Sequence, residues 1–379
     1  MNVVPPPVSG PFSPRVSTND VSILYPLPTT RLNDDFIPAS DIAAYGPLVP
    51  EAVFKTVVRG AALERTNVRP SSGYDTLRIV AIRLDPCSAR SVPEGKCRSE
   101  VRLVFQALYT VERGDGTDVG STAATDGGLH VMYDVPSSEL VAMTKEILAL
   151  KKANGDLASD ELGPHPILKA QGLGGAFAQG LRGILRFHLG ESRIGRVTFF
   201  DHNFEPDSDG WTFGVFDRAG GAFVAGKIPG LQQPMATVAG SSAEGSLAES
   251  SAEPFSRTPA KDSVGKIVSS GRSEARPEEL RAAYDAAIRI ENPTMHTAET
   301  TDCINCHLAE GARRMGESVY RFSPGRELFA SSRRLDRKDE RTSVTNLHAF
   351  GYLHRQVSIT QRTANESAVA ATALEAMVK

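Results

Sequence analysis

The chain lacks the features that would place it in several large protein classes. It has no run of 18 apolar residues, and its formal net charge is only −3 over 379 residues. A helix that crosses a bilayer needs about 20 mainly apolar residues, so the sequence predicts no transmembrane span. The small net charge also gives no reason to expect nucleic acid or an anionic membrane surface as a partner.

Cysteine is scarce as well, and the four that occur fall into two pairs. Cys303 and Cys306 belong to the run Cys-Ile-Asn-Cys-His, which ends at His307 and has the spacing C-x-x-C-H. This spacing is the signature of covalent c-type haem attachment. On one turn of helix, residues i, i+3 and i+4 share a face. Two thiols can therefore reach the two vinyl groups of one porphyrin while the imidazole meets the iron.

A zinc site is the main alternative interpretation of these residues. A zinc ribbon would need a second C-x-x-C pair. The only other cysteines, Cys87 and Cys97, lie far upstream with nine residues between them. A pair of structural thiols without a ligand is the third interpretation, and the spacing favours haem over both.

The second pair of cysteines predicts a disulfide. Cys87 and Cys97 flank a loop that contains Ser, Pro and Gly between two strand-like runs, so a bond between them would close a hairpin. A disulfide and a thioether-bound haem both indicate an oxidising, extracytoplasmic compartment such as the bacterial periplasm. Residues 1–10 lack the basic and apolar stretches of a signal peptide. We therefore expect a mature or truncated chain whose leader is absent from this sequence.

Hydrophobic periodicity predicts an α+β fold with four segments. Residues 1–75 are rich in proline and are expected to form an extended arm, with a short helix near residues 50–59. Residues 76–233 combine strand-like and helical runs, which predicts a mixed, largely antiparallel sheet with helices on one side. Residues 234–275 are rich in Ser, Ala and Gly, as in a linker or long loop. Residues 276–379 are predicted to be mainly helical.

Individual elements can be predicted within these segments. Strands are expected at residues 77–84, 101–109, 129–135, 193–201, 211–217 and 222–228. Helices are expected from residue 137, over residues 176–189 and from Pro277 to Asn292. A further helix should begin at the C-x-x-C-H motif, with Thr301 or Asp302 as its N-cap. A closing helix should begin at a capping box formed by residues 363–366.

Residues 276–379, with a helix, the C-x-x-C-H motif, loops and a closing helix, resemble a single-haem c-type cytochrome domain. The shared motif covers five residues. By that match, Cys303 and Cys306 would be the thioether attachments of one covalent haem c, and His307 would be the proximal iron ligand. The resemblance implies transfer of single electrons between protein partners.

On the distal side of the haem, the sequence departs from the pattern of small cytochromes c. Those proteins usually supply a methionine well downstream of the histidine. Met315 follows His307 by only eight residues and would lie on the same helix, while Met377 in the closing helix is expected in the core. We therefore expect a histidine as sixth ligand, His348 first and His296 second. An open distal position is the alternative.

Charge near the motif indicates a possible partner. Residues 303–357 hold ten Arg or Lys against six Asp or Glu, and these cations could pair with haem propionates or face an acidic redox protein. An electron carrier is the leading hypothesis. A haem peroxidase or oxidase with an open distal site is the alternative, and a non-haem surface or assembly protein with a structural Cys/His site is the third. No chemistry can be assigned to residues 1–275.

Overall fold

Strands dominate the first two thirds of the structure. The computed structural model describes residues 15–63, 73–88, 97–111, 120–157, 159–205, 208–231, 233–240, 262–341, 343 and 346–379. The strands are β1 (Ser22–Leu24), β2 (Ile42–Ala43), β3 (Gly46–Pro47), β4 (Leu77–Ser88), β5 (Arg98–Thr110), β6 (Thr122–Ala124), β7 (Gly127–Asp134), β8 (Ile194–Glu205), β9 (Ser208–Ala219), β10 (Ala222–Ala225), β11 (Met235–Ala239), β12 (Phe350–Leu353) and β13 (Gln356–Ile359).

Nine of these strands form one antiparallel sheet in the described part of the chain. Its main path runs β1-β4-β5-β7-β8-β9-β10, while β6 pairs with β5 and β11 pairs with β9. The strands β2 and β3 form a separate hairpin, and so do β12 and β13. Consecutive strands are mostly neighbours in the sheet, as expected where short turns join antiparallel strands.

The helices precede, interrupt and follow this sheet. They are α1 (Thr18–Val21), α2 (Glu51–Leu63), α3 (Ser137–Ala153), α4 (Pro166–Gln171), α5 (Ala176–His188), α6 (Gly265–Val268), α7 (Pro277–Glu291), α8 (Cys303–Ser318) and α9 (Gln361–Val378). The short hairpin of β12 and β13 lies between α8 and α9 in the chain.

One face of the sheet is apolar and shares a hydrophobic core with α3 and α5. Leu103 of β5, Val131 of β7 and Val197 of β8 are cross-strand neighbours, and all three are fully buried. Ile147 of α3 and Leu181 of α5 belong to the same core. Because successive side chains of a strand point to opposite faces, aliphatic residues at every second position produce this layer.

The opposite face carries a second core. Phe200 of β8 and Phe213 of β9 are cross-strand neighbours there, and they cluster with Tyr284 of α7 and Ile304 of α8. The predicted placement of helices on one side of the sheet holds for α3 and α5 of residues 76–233, while α7 and α8 of the C-terminal segment cover the opposite face. The α+β class itself is confirmed.

The N-terminal segment contributes to the sheet as well. The strand β1 pairs with β4, and the neighbouring side chains of Val16, Val21 and Tyr25 are buried. Helix α2 confirms the helix expected near residues 50–59. Residues 1–14 of the predicted arm lie outside the described residues.

Most predicted elements are present, although their ends differ. The six predicted strands correspond to β4, β5, β7, β8, β9 and β10, and the helices α3, α5, α7 and α8 are confirmed. Helix α9 begins at Gln361 behind the N-cap Thr360, so its predicted start at the capping box of residues 363–366 is wrong.

The predicted linker is only partly described. Residues 235–239 form β11 on the sheet, Gly265–Val268 form α6, and residues 241–261 lie outside the described part. The second core joins residues on both sides of that segment, from Phe200 to Leu347. The division into domains stays a prediction.

Candidate functional site

The C-x-x-C-H motif opens helix α8, and two buried polar residues fix its first turn. Asp302 is the N-cap, and its side chain accepts a hydrogen bond from the Asn305 backbone N–H at 2.8 Å. The Asn305 side chain donates to Asp302 at 2.7 Å and accepts from the Val264 N–H at 2.9 Å. N-cap residues are favoured because they satisfy backbone donors that have no partner within the helix. The first turn is thereby held against the segment that enters α6.

Cys303, Cys306 and His307 line one cavity between α8 and the second face of the sheet. The space between its walls is about 990 Å³, with open solvent at its mouth included. The wall contributed by the sheet comprises Arg83, Ser88, Glu100, Arg102, Val104, His130, Met132, Arg196, Thr198 and Val215. The start of α9 adds Arg362, Thr363 and Glu366. A concave site on which several polar groups converge is a common form of a small-molecule or cofactor site.

The two thiols in this cavity are free and remain protonated at neutral pH. Burial, with Asp302 and Cys306 nearby, raises the pKa of the Cys303 thiol to about 12. Burial likewise raises the pKa of Cys306 to about 11. A zinc-binding or redox-active cysteine pair reacts as thiolate, usually with a lowered pKa.

The imidazole of His307 is prepared to act as a ligand. Its Nδ1 is hydrogen bonded to the carbonyl oxygen of Leu347, which can only accept, so Nδ1 carries the proton. The lone pair is then on Nε2. Burial lowers the pKa of His307 to about 4, which keeps the ring neutral. A hydrogen bond from the second ring nitrogen is the usual way in which proteins orient a metal-binding histidine.

Aromatic side chains hold the His307 ring in position. The ring centroid lies 5.4 Å from that of Phe200 and 5.1 Å from that of Phe213. Phe200 also meets the ring of His348 edge-on at 4.7 Å. His307 is thus fixed by a backbone acceptor on one side and by packed rings from two neighbouring strands.

Arginines on the cavity wall retain unused hydrogen-bonding capacity. Arg83 and Arg362 both pair with Glu366, and Arg102 contacts Glu100 at 3.1 Å. The buried Nε–H groups of Arg83 and Arg102 nevertheless find no acceptor among the described residues. Buried donors without a partner are costly. Both guanidinium groups belong to residues that line the cavity, where their charge favours an anionic group such as a carboxylate.

The two histidines predicted as distal ligands do not line this cavity. His348 is bonded through Nε2 to Asp126 at 2.9 Å and through Nδ1 to Gln106 at 3.4 Å. His296 is bonded through Nε2 to Asp262 at 2.9 Å and through Nδ1 to the Thr300 carbonyl at 3.2 Å. Both rings have their two nitrogens engaged. The distal assignment to either one stays a prediction that these contacts do not favour.

Several basic residues expected to face a haem or a partner are instead used within the protein. Glu310 of α8, which is 2% exposed, accepts hydrogen bonds from Arg313 at 2.9 Å, Arg314 at 2.7 Å and Arg337 at 2.7 Å. Burial alone would raise the pKa of Glu310, but Arg337 and Arg313 hold it well below its ordinary range. This cluster ties α8 to the segment before β12.

Sequence reasoning missed the wall that the sheet contributes to the site. Arg102, Met132 and Arg196 are cross-strand neighbours in one row, and His130 lies in the next. Burial, together with Arg102 and His307, holds the pKa of His130 well below its ordinary range. The alternation of these polar residues with aliphatic ones was visible in the strands. It is the same pattern that a solvent-exposed sheet face produces, so it did not reveal a cavity.

The predicted disulfide is present. Cys87, at the end of β4, is bonded to Cys97, which immediately precedes β5. The residues between them lie outside the described part of the chain. Cys87 and Cys97 are absent from the wall of the cavity, so the four cysteines have two separate roles.

Comparisons with known proteins assign no role to this site. The chain matches no family model, and neither the curated proteins nor the solved structures compared with it gave a match. Within the described ranges, no three His, Cys, Asp or Glu residues are grouped as they would be around a bound metal ion. A structural zinc site needs four ligands, so the zinc interpretation lacks its partners there. None of the described helices is both long enough and apolar enough to cross a bilayer.

Proposed function

We propose that this chain covalently binds one haem c and acts as an extracytoplasmic electron carrier. One observation carries the proposal: both thiols of the C-x-x-C-H motif and its histidine line a single cavity. When bound, the haem iron supplies a one-electron couple between its ferric and ferrous states. The residues that line the cavity offer thiols for the vinyl groups of the haem, an imidazole for its iron and arginines for its propionates.

Attachment is the task of Cys303 and Cys306. Each thiol would add across one vinyl group, forming a carbon–sulfur bond while its proton goes to the other vinyl carbon. Nothing leaves, and no net oxidation occurs. Cys303 and Cys306 form no disulfide in the folded chain, so both thiols are available for this addition.

His307 and the wall arginines would hold the rest of the group. The free Nε2 of His307 is the nitrogen that would meet the iron. Arg83 and Arg102 line the same cavity, and their guanidinium charges suit the haem propionates. An iron held in a fixed protein environment of this kind changes oxidation state with little rearrangement, which favours electron transfer.

The disulfide supports the proposed extracytoplasmic location. A disulfide joins Cys87 to Cys97, and bonds of this kind persist mainly in oxidising compartments. The electron donor and acceptor would be proteins that carry one-electron centres. Arg321 and Arg326 lie exposed beyond the end of α8 and are the cations there that an acidic partner surface would meet.

Attachment is tested by the intact mass of denatured protein that was made alongside a c-type haem maturation system. We expect the wild type to carry the mass of one haem, and the Cys303→Ala/Cys306→Ala double variant to carry none. The Cys87→Ser/Cys97→Ser double variant is the matched control and should retain the haem. A wild-type chain with no added mass would contradict the proposal.

The role of carrier is tested separately from attachment. A potentiometric titration of the haem protein should follow a reversible one-electron Nernst curve, and peroxide should be consumed no faster than by free haem. Rapid peroxide turnover would instead support the alternative of a haem peroxidase.

A further inference from the structure

One histidine besides His307 lines the cavity, and it comes from the sheet. His130 lies in β7, where its neighbours across the sheet are Val104 of β5 and Thr198 of β8. Both neighbours also line the cavity. His130 therefore stands in the middle of the wall that faces helix α8, and not at its edge.

The separation between the two rings is that of ligands on a shared metal. The ring centroids of His130 and His307 are 6.5 Å apart. A metal bound by an imidazole nitrogen at about 2 Å on each side separates two ring centroids by roughly 6 Å, because each centroid lies about 1 Å behind its nitrogen. The observed separation of 6.5 Å is close to the value expected for two imidazoles that bind one iron.

The imidazole of His130 is also free to bind. It makes no hydrogen bond to any residue in the described part of the chain, and its ring centroid lies 6.5 Å from that of His307. The remaining histidines are placed differently. His348 and His296 have both nitrogens engaged, and His354 is exposed at the hairpin turn. His165 stacks on Phe177, His188 bonds Glu146, and His202 stacks on Trp211.

We propose that His130 is the sixth ligand of the haem iron, opposite His307; this inference rests on the proposed haem attachment. The iron would then be held between helix α8 and strand β7, with imidazole on both sides. Two axial imidazoles leave no open position at the iron. The site would therefore favour electron transfer over the binding of oxygen or peroxide.

Met132 is the strongest competitor for this position. It also lines the cavity and is two residues further along β7. Two residues of a strand span about 7 Å, so the iron cannot lie opposite both side chains in the same geometry. The side chain whose ring lies at the separation expected for a shared iron is that of His130.

The test is the ligation state of the haem protein, compared between the wild type and His130→Ala. We expect the wild type to be six-coordinate and low-spin in both oxidation states, with the near-infrared magnetic circular dichroism of a bis-imidazole haem. His130→Ala should become high-spin and bind carbon monoxide rapidly when reduced. Added imidazole should restore the low-spin spectrum, because it fits the space that the side chain leaves. His130→Met should raise the midpoint potential, as methionine ligation does.

Two further variants serve as controls. His354→Asn changes an exposed histidine in the left-handed backbone region, which asparagine tolerates, and should leave the spectrum unchanged. Met132→Leu should also remain low-spin. A low-spin His130→Ala protein, or a Met132→Leu protein that turns high-spin, would overturn the proposal.

Covalent haem attachment and ligation of the iron by His130 can be tested separately. The pyridine haemochrome assay displaces both axial ligands and reports covalent haem alone. A wild-type protein with a normal haemochrome but a five-coordinate, high-spin iron would contradict His130 ligation while supporting attachment. If His130→Ala yields no haem protein, the wild-type magnetic circular dichroism still decides between two imidazoles, one imidazole with methionine, and an open site.

Discussion

Glu366 lies on the cavity wall between two arginines, and its charge depends on them. Arg362 donates to it at 2.8 Å, and Arg83 approaches from strand β4. Burial alone would raise the pKa of Glu366, but Arg362 and Arg83 lower it from 4.5 to about 2. The carboxylate is therefore favoured by folding. Its contribution to the unfolding free energy is complete above pH 4.5 and is lost as the pH falls towards 2.

Replacement of this carboxylate should destabilise the protein in a pH-dependent way. We expect Glu366→Gln to reduce the unfolding free energy at pH 7 by about 2 to 4 kcal/mol, because two buried guanidinium groups lose their counter-charge. The deficit should shrink as the pH falls from 5 to 2, where the wild type also loses the charge. Urea unfolding followed by circular dichroism at several pH values measures both effects.

Glu375→Gln is the matched control for that experiment. Glu375 lies on the same helix and pairs with Arg333 and Lys379, but 22% of its side chain is exposed. We expect this change to cost less than about 1 kcal/mol. Equal losses in the two variants would show that the wall of the cavity does not depend on Glu366 as described.

At the scale of elements, helix α8 is positioned by a close approach to α7. A Cβ atom at Gly316 would lie 2.2 Å from the Tyr284 ring, whose side chain is fully buried. Such a contact requires one of the two helices to shift. Since α8 carries both thiols and His307 at its other end, the packing of α7 and α8 bears directly on the cavity.

Gly316→Ala should therefore reduce the unfolding free energy by about 1 to 3 kcal/mol through overpacking. Gly183 of α5 is the matched control because nothing lies within 4 Å of the Cβ it would gain. There, alanine should stabilise the protein by about 0.5 to 1 kcal/mol, since it lowers the entropy of the unfolded chain. Thermal or urea unfolding of both variants checks the opposite signs, and a stabilised Gly316→Ala protein would contradict the packing.

The disulfide between Cys87 and Cys97 joins the end of strand β4 to the start of strand β5. We expect Cys87→Ser/Cys97→Ser to lower the unfolding free energy by about 2 to 3 kcal/mol, the value for closing a loop of about ten residues. A reductant should lower the stability of the wild type but leave that of the double variant unchanged. A wild type unaffected by reductant would show that the bond contributes nothing to folding.

Elements with a strong local signal could be predicted from the sequence. The N-cap of α8, predicted at Thr301 or Asp302, is Asp302, and the predicted strand at residues 101–109 lies within β5. Both are local predictions, because capping chemistry and alternating side chains are properties of a few neighbouring residues. The start of α9 was misplaced. Thr363 and Glu366 have the spacing of a capping box, but Thr360 provides the cap and Glu366 pairs with arginines on the cavity wall.

At the scale of the whole molecule, the site is assembled from parts of the chain that lie far apart. His307 comes from α8 and His130 from β7. Their ring centroids lie 6.5 Å apart only because the C-terminal helices cover the second face of the sheet. No local pattern specifies which strand a helix will cover. Cys303, Cys306 and His307 could thus be found from a five-residue motif, while the opposite wall of the cavity could not.

The contacts of the two histidines predicted as distal ligands also depend on distant parts of the chain. His348 and His296 are predicted from the sequence because the methionines downstream of the motif are unsuited to the distal position. In the folded chain both serve hydrogen-bond networks with buried carboxylates, Asp126 and Asp262. A buried imidazole with two partners is well satisfied and has no lone pair available for a metal.

The most direct test of the account is a pyridine haemochrome spectrum of the purified protein, made alongside a c-type haem maturation system. We predict the signal of a haem bound through two thioether bonds, at one haem per chain, that survives extraction with acidified acetone. Absence of covalent haem under those conditions would contradict the account, because the cavity shared by Cys303, Cys306 and His307 would then serve another purpose.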